Sequence, residues 1–264
     1  MTKLAVLRPE PDCHADVNLL TDIGIPSCAL PCLEEKRLFF PEVAELNASD
    51  GIILTSKRIL AMFHPDMVTH LSHLPVFCVG KATADAARQR GFEHIQCATK
   101  TAQDLLELLR VFCSSRGLSN QKEARQSRKL SFSWLGGQDV QLDISAYSPD
   151  GCRIIRNICY EMIPRSSLPS AIIEELVAGK ITAVMSLSAR TLGTFVQLLN
   201  KHDIWHHHQN IIVLSISDTA GIVSHDISCD LKWRERLVAE TPDKDGMIAL
   251  VRHWCQKSGI REKS

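Results

Sequence analysis

Apolar residues fall along the chain in short runs of about four to six, separated by polar turns, and most runs lead into a segment with helical spacing. Leu4–Leu7 reads as a buried strand, Arg8–Asp12 as a turn and helix start, and Ala15, Val17, Leu19 and Leu20 as the apolar positions of a short helix stopped at Gly24. A strand over Pro26 to Leu30 follows. Gly51–Leu54 is a second buried run, closed by Thr55 and Ser56, with a helix through Ile59, Leu60 and Phe63. Val76–Val79 enters Gly80–Ala84, and the helix to Arg90 stops at Gly91. A longer amphipathic helix starts near Thr101, carries Leu105, Leu106, Leu108, Leu109 and Val111, and ends at Gly117. Strand followed by helix followed by strand is the pattern of a parallel sheet covered by helices.

Residues 118–130 carry charge without apolar period and predict an exposed connection, after which the pattern restarts. Strands are predicted over Leu130–Leu135, opening onto Gly136-Gly137, over Cys152–Tyr160 after Gly151, over Ile181–Met185 before Ser186–Arg190, and over Ile211–Ser215 before Ser217–Ala220. A last helix starts near Pro242. Corresponding positions advance together: Gly24 and Gly151 lie 127 residues apart, Ser56 and Ser188 132, Thr83 and Thr219 136. Ordered correspondence with a slowly growing offset points to a duplicated unit.

Composition narrows the class. The 45% hydrophobic and 23% charged residues are those of a globular protein. Thirty basic residues balance thirty acidic ones, so no global field favours nucleic acid or an anionic membrane. No run reaches membrane-spanning length, and the first residues hold no secretory apolar segment, which predicts a cytoplasmic protein. Ten cysteines contain no C-x-x-C pair and read as scattered reduced thiols. His206-His207-His208 reads as a solvated loop, because no carboxylate or cysteine stands at ligand spacing.

The candidate chemistry lies at the strand ends. Thr55-Ser56, Gly80–Thr83, Ser186–Ser188 and Ser217–Thr219 each end a strand just before a helix. Ligands of open parallel sheets sit beyond those ends. Hydroxyl residues there cap helices, and helix starts also present N–H donors to carboxylates and phosphates. No Walker loop, G-x-G-x-x-G, G-x-S-x-G or H-E-x-x-H occurs, so neither a nucleotide cradle nor a familiar nucleophile or metal motif is present.

The order of segments resembles uroporphyrinogen-III synthase (the HemD family). The resemblance is carried by Leu7–Glu10, Ile53–Ser56, Val79–Ala84 with Ala87-Arg88 and Gly91-Phe92, Tyr160, Ser188–Thr191 with Phe195, and Thr219-Ala220. It covers nearly the whole chain through short motifs whose force is their order. It implies an α/β fold of two flavodoxin-like parallel-sheet domains joined by two strands, with the active-site cleft between them. One domain would combine residues 1–33 with 163–264 and the other would be inserted at 36–159, with crossings near 31–36 and 160–164.

The implied reaction takes hydroxymethylbilane, removes its terminal hydroxyl as water, and closes the ring with inversion of the last pyrrole through azafulvene and spiro-pyrrolenine intermediates. No cofactor or metal is implied. By the same resemblance Tyr160 assists departure of the hydroxyl, while Arg8, Thr55, Ser56, Gly80, Thr83, Ser188 and Thr219 hold the substrate's carboxylates. A monomer is expected, with transient contact to hydroxymethylbilane synthase. The sequence departs from the family at Ile216-Ser217-Asp218, where a glycine is usual, and at Gly137–Val140, where an arginine is usual. A two-domain sensor closing on a small anion, or a synthase-like protein without activity, would carry the same strand-end hydroxyls.

Overall fold

Runs apolar on both faces demand cover on both faces, and that requirement organises the molecule. The computed structural model describes residues 2–99, 101–115, 129–140, 142–223 and 232–260. The expected helix stop at Gly117, and the connection at 118–130 apart from Lys129 and Leu130, lie outside the described residues. The chain divides into two compact units, Met1–Glu35 with Ile163–Ser264, and Lys36–Met162.

The first unit holds β1 (Lys3–Val6), α1 (Asp12–Asp22), β2 (Ser27–Ala29), α6 (Ser170–Val177), β9 (Ile181–Ser186), α7 (Ala189–Lys201), β10 (Ile212–Ser215), β11 (Glu235–Val238) and α8 (Lys244–Lys257). Its five strands are parallel in the order β11-β10-β9-β1-β2. Successive residues of β1 go to opposite cores. Leu4 and Val6 pack with Leu20, Met247, Val251 and Trp254 of α1 and α8. Ala5 packs with Leu176 of α6 and Leu192, Phe195 and Leu199 of α7. Each of the α7 side chains stabilises by about 1.5–3 kcal/mol on burial.

The second unit holds α2 (Val43–Asn47), β4 (Gly51–Leu54), α3 (Pro65–Leu71), β5 (Val76–Val79), α4 (Lys81–Arg90), β6 (Ile95–Ala98), α5 (Ala102–Cys113), β7 (Leu130–Gly137) and β8 (Cys152–Pro164). With β3 (Leu33–Arg37) at one edge, its order is β3-β8-β7-β4-β5-β6. β4 to β8 are parallel. β3 runs the other way, since Arg165 N–H donates to Cys32 O and Leu38 N–H to Cys159 O. Ile52 and Leu54 face Ile59, Leu60 and Phe63, whereas Ile53 faces Phe77, Phe132, Trp134 and Leu105 of α5. A capping box of Thr101 and Asp104 starts α5.

Without β3 the two sheets have one strand order, with β7 and β8 in the places of β1 and β2, and β4-β5-β6 in those of β9-β10-β11. The tandem correspondence seen in sequence follows from this. Gly24 and Gly151, at φ 82° and 76°, precede β2 and β8. Ser56 and Ser188 each accept a backbone N–H at the start of the helical segment after β4 and β9.

Three features differ from the sequence reading. Strands β6 and β11 are absent from the sequence reading, and β3 occupies the stretch expected only as a joining strand near 31–36. The histidine run is a 3-10 helix, Trp205–Asn210, and His208 is only 2% exposed. Its ring stacks on Trp205 and meets Trp233 edge-on, so the expected solvated loop is corrected there. Cys113 and Cys152 are joined as a disulfide, so the cysteines are not uniformly thiols.

Candidate functional site

In the second unit the chain leaves β7 towards β8 on one side, while β4 leads towards β5 on the other. The crevice at such a reversal is the favoured ligand position of a parallel sheet. Thr55 and Gly136 follow the register partners Leu54 and Leu135 at this point. The indole N–H of Trp134 donates to Thr55 Oγ1 at 3.2 Å. A side chain on residue 136 would intrude, with its Cβ 3.3 Å from Trp134 Nε1 and 3.5 Å from Thr55 Oγ1.

Tyr160 lies at the same end of the sheet but on its other face, packed with Leu54 and Leu135, and it is placed there by an irregularity in β8. Gly136 pairs with Ile158 but Gly137 pairs with Tyr160, leaving Cys159 as an extra residue. Such a bulge re-aims the next side chain. The Tyr160 ring consequently lies against Gly137, where a Cβ would come within 2.7 Å of two ring carbons. Tyr160 O accepts from Gln138 N–H at 2.8 Å, and the residue is 9% exposed. Burial pushes the Cys159 thiol up to about 11.

Next to β4, strand β5 opens onto Gly80, which has φ 77° and ψ 147° and precedes α4 without any side-chain cap. The first N–H groups of a helix have no intrahelical partners. No atom lies within 4 Å of where a Cβ on residue 80 would project. Thr83 sits one turn inside α4 and is 6% exposed. Ser56 is occupied locally, accepting from Arg58 N–H at 3.3 Å.

The corresponding edge of the first unit uses its polar groups differently. Arg8 Nη1 pairs with Asp16 at 2.7 Å and Nη2 with Asp12 at 3.2 Å. Ser186 Oγ donates towards Ser188 O and Ala220 O at 3.1 and 3.0 Å. Ser188 Oγ accepts from Thr191 N–H at 3.2 Å and contacts Thr191 Oγ1 at 2.7 Å. Thr219 is exposed, begins a three-residue 3-10 turn, and meets Ser217 Oγ at 3.0 Å. Arg8, Asp16, Met185, Leu187, Ile216 and Lys244 line part of a cavity of about 230 Å³ at this edge.

The structure thus groups Thr55, Ser56, Gly80 and Tyr160 at one sheet edge, with Thr83 buried behind Gly80. Arg8, Ser188 and Thr219 belong to the other sheet's edge. The sequence reading missed Trp134 and Arg156, which stand in register on β7 and β8. Arg156 had a legible signal, since alternation puts it on the same face as Cys152 and Ile154. Among the described residues no group of three or more His, Cys, Asp or Glu is placed to hold a metal. None of the described helices is long and apolar enough to cross a membrane.

Comparison with known proteins adds an independent finding. The family model of uroporphyrinogen-III synthase HemD matches residues 16–249. No curated protein gives a significant match. Among solved structures, a mutant uroporphyrinogen III synthase of the extremely thermophilic bacterium Thermus thermophilus is 17% identical, with a TM-score of 0.50 over 97% of this chain and 100% of its own. The uroporphyrinogen-III synthetase of Helicobacter pylori 26695 is 13% identical, with a TM-score of 0.60 over 96% of this chain and 100% of its own. At such identity these likenesses speak to the fold, two parallel-dominated α/β sheets. With the family model running from residue 16 to residue 249, the chain belongs to the uroporphyrinogen-III synthase family.

Proposed function

We propose that this chain is a cyclising hydro-lyase that converts hydroxymethylbilane into uroporphyrinogen III, within tetrapyrrole and haem biosynthesis. The single observation that carries this reading is the family match across residues 16–249. The sheet edge at Tyr160 supports it chemically.

Departure of the substrate's terminal hydroxyl breaks a C–O bond as the pyrrole nitrogen feeds in its electron pair and gives up its N–H proton, leaving the neutral azafulvene; that proton balances the one the oxygen takes up. The leaving oxygen must gain a proton to depart as water. β8 continues past Tyr160 to Pro164, beyond the strand end expected from the sequence, but Tyr160 stands beside Gly137, the last residue of β7. A buried phenol there is a suitable hydrogen-bond donor for that oxygen, and we assign this role to Tyr160. Ring closure through the spiro-pyrrolenine then depends on the reactivity of the pyrroles. The protein's contribution is to hold one geometry in preference to spontaneous closure without inversion.

The N–H groups that begin α4 behind Gly80 suit a carboxylate, because a helix start presents several donors and a favourable dipole. Thr55 is held by the Trp134 indole with its oxygen as acceptor, which leaves its O–H to donate. Ser56, Ser188 and Thr83 we read as fixing their helix starts, so that their backbone amides meet acetate or propionate groups. Thr219, with an exposed hydroxyl, is read as a direct contact. Arg8 contributes through the Asp12 and Asp16 pairs that hold it. We take the working form to be a cytoplasmic monomer that receives its unstable substrate from hydroxymethylbilane synthase.

Incubating the purified chain with freshly made hydroxymethylbilane and separating the type III from the type I isomer tests the proposal. Type III product is expected. Type I alone, at the rate seen without protein, would overturn it.

A further inference from the structure

Arg156, four residues before Tyr160 on β8, makes several charge-assisted contacts that the proposed chemistry does not use. It projects from the middle of β8 beside its register partner Trp134, with its guanidinium carbon 5.2 Å from the indole centroid. Nη1 pairs with Asp143 Oδ2 at 2.8 Å. Nη2 donates to Gln138 O at 2.7 Å and lies 3.4 Å from Gly137 O. Asp143 is itself fixed, accepting from Ser145 N–H at 3.0 Å and Ser145 Oγ at 2.5 Å. The Ser145 hydroxyl, then the Ser145 amide and Arg156, hold its carboxyl below the usual range against the opposing effect of burial.

The segment Gly137-Gln138 is therefore gripped from two sides. Arg156 holds its carbonyls, while Tyr160 takes the Gln138 N–H and lays its ring against the Gly137 Cα. Trp134, under the guanidinium, carries the indole N–H that holds Thr55. One rigid fork thus spans Gly137, Gln138 and Asp143 and buttresses the two aromatic residues at the sheet edge. Lysine could not reproduce this, because its single ammonium lacks the planar fork that serves a carboxylate and carbonyls together.

We propose that Arg156 is a positioning residue that fixes the Gly137-Gln138 backbone and through it the Tyr160 ring. The proposal rests on the reading of Tyr160 as the donor to the departing hydroxyl, and the test separates the two. The chain has only two tyrosines, Tyr147 and Tyr160. Ring-labelled tyrosine therefore gives two resolvable carbon signals by NMR, assigned with Tyr160→Phe. In Arg156→Gln the Tyr160 signal is expected to shift or broaden, and Arg156→Lys should not restore it. This readout needs no activity; an unmoved Tyr160 signal overturns the positioning role even if the function stands.

In the isomer assay, Arg156→Gln should lower kcat about tenfold with KM within about twofold, as expected for a misplaced group that does not bind substrate. In the Tyr160→Phe background the same change should lower kcat less than about twofold, because residues acting as one unit are not additive. Equal losses in both backgrounds would overturn the proposal. Should Arg156→Gln fail to fold by circular dichroism, Asp143→Asn removes one arm of the grip; it should shift the Tyr160 signal in the same direction, and no shift would overturn the proposal.

Discussion

The two sheets end in edges of the same strand order and opposite chemical character. At the edge of the first unit, Ser186, Ser188 and Ser217 bond to nearby backbone or to a neighbouring hydroxyl, and Arg8 is held by Asp12 and Asp16. At the edge of the second unit, glycines stand where side chains would fill the space, a bulge turns Tyr160 over Gly137, and α4 starts without a side-chain cap. One strand order serves twice. The first unit's polar groups are mostly engaged in local order, while the second unit keeps an uncapped helix start at Gly80 and the Tyr160 ring over Gly137.

Substitutions matched across the two edges sharpen that contrast. Gly137→Ala should have the largest effect, since its Cβ would sit 2.7 Å from the Tyr160 ring. Turnover is expected to fall about 100-fold, the scale of a 1 Å displacement of a reacting group. Gly221→Ala, whose Cβ would come within 2.8 Å of Ser215 Oγ, should lower the thermal midpoint yet leave kcat per folded molecule nearly unchanged. Equal losses of kcat from both would erase the distinction.

Ser188→Ala removes the cap of α7 and should lower stability by about 1 kcal/mol in denaturant titrations. Turnover should change much less than with Gly137→Ala.

Buried thiols give both units the same alkaline limit. Burial first raises Cys13 to about 12, Cys78 to about 12 and Cys159 to about 11. A raised thiol pKa favours the folded state fully below the ordinary thiol value. That contribution is lost as pH climbs from about 8.5 through the folded values. Stability should therefore fall above pH about 9, and native protein at pH 7 should resist thiol alkylation at these positions. Constant stability to pH 11 would contradict the burial.

The smallest effect is expected from Thr219→Ala. The residue is exposed and bonded to Ser217, so stability should stay within about 0.5 kcal/mol. Any change should appear as a higher KM. A large loss of kcat would move the chemistry towards the first unit.

Much of this architecture was readable from patterning. The runs at Leu4, Gly51, Val76, Ile181 and Ile211 are apolar on both faces, which only a doubly covered sheet satisfies, and Gly91 ends α4 in the left-handed region as a helix stop should. The strands that escaped, β6 and β11, lie at sheet edges, where one side of the backbone needs no partner and apolar selection relaxes. At another edge, β3 (Leu-Glu-Glu-Lys-Arg) was legible only through the family resemblance and not from its pattern. At the candidate site, strand-end hydroxyls were legible as types but not as roles. Ser188 as a cap and Thr83 inside a helix differ by helix register, which composition does not encode. The bulge at Cys159 was invisible because Ile158-Cys159-Tyr160 reads as an unbroken strand. Arg156 was overlooked although its place on the covered face of an alternating strand asked for an explanation.

The decisive comparison is the rate of type III isomer formation by the wild-type chain and by Tyr160→Phe, from freshly made hydroxymethylbilane. Loss of the donor should slow the variant about 100-fold, with circular dichroism and thermal midpoint unchanged. Type III formation at the wild-type rate by Tyr160→Phe would contradict the account and remove the second unit's edge from the chemistry.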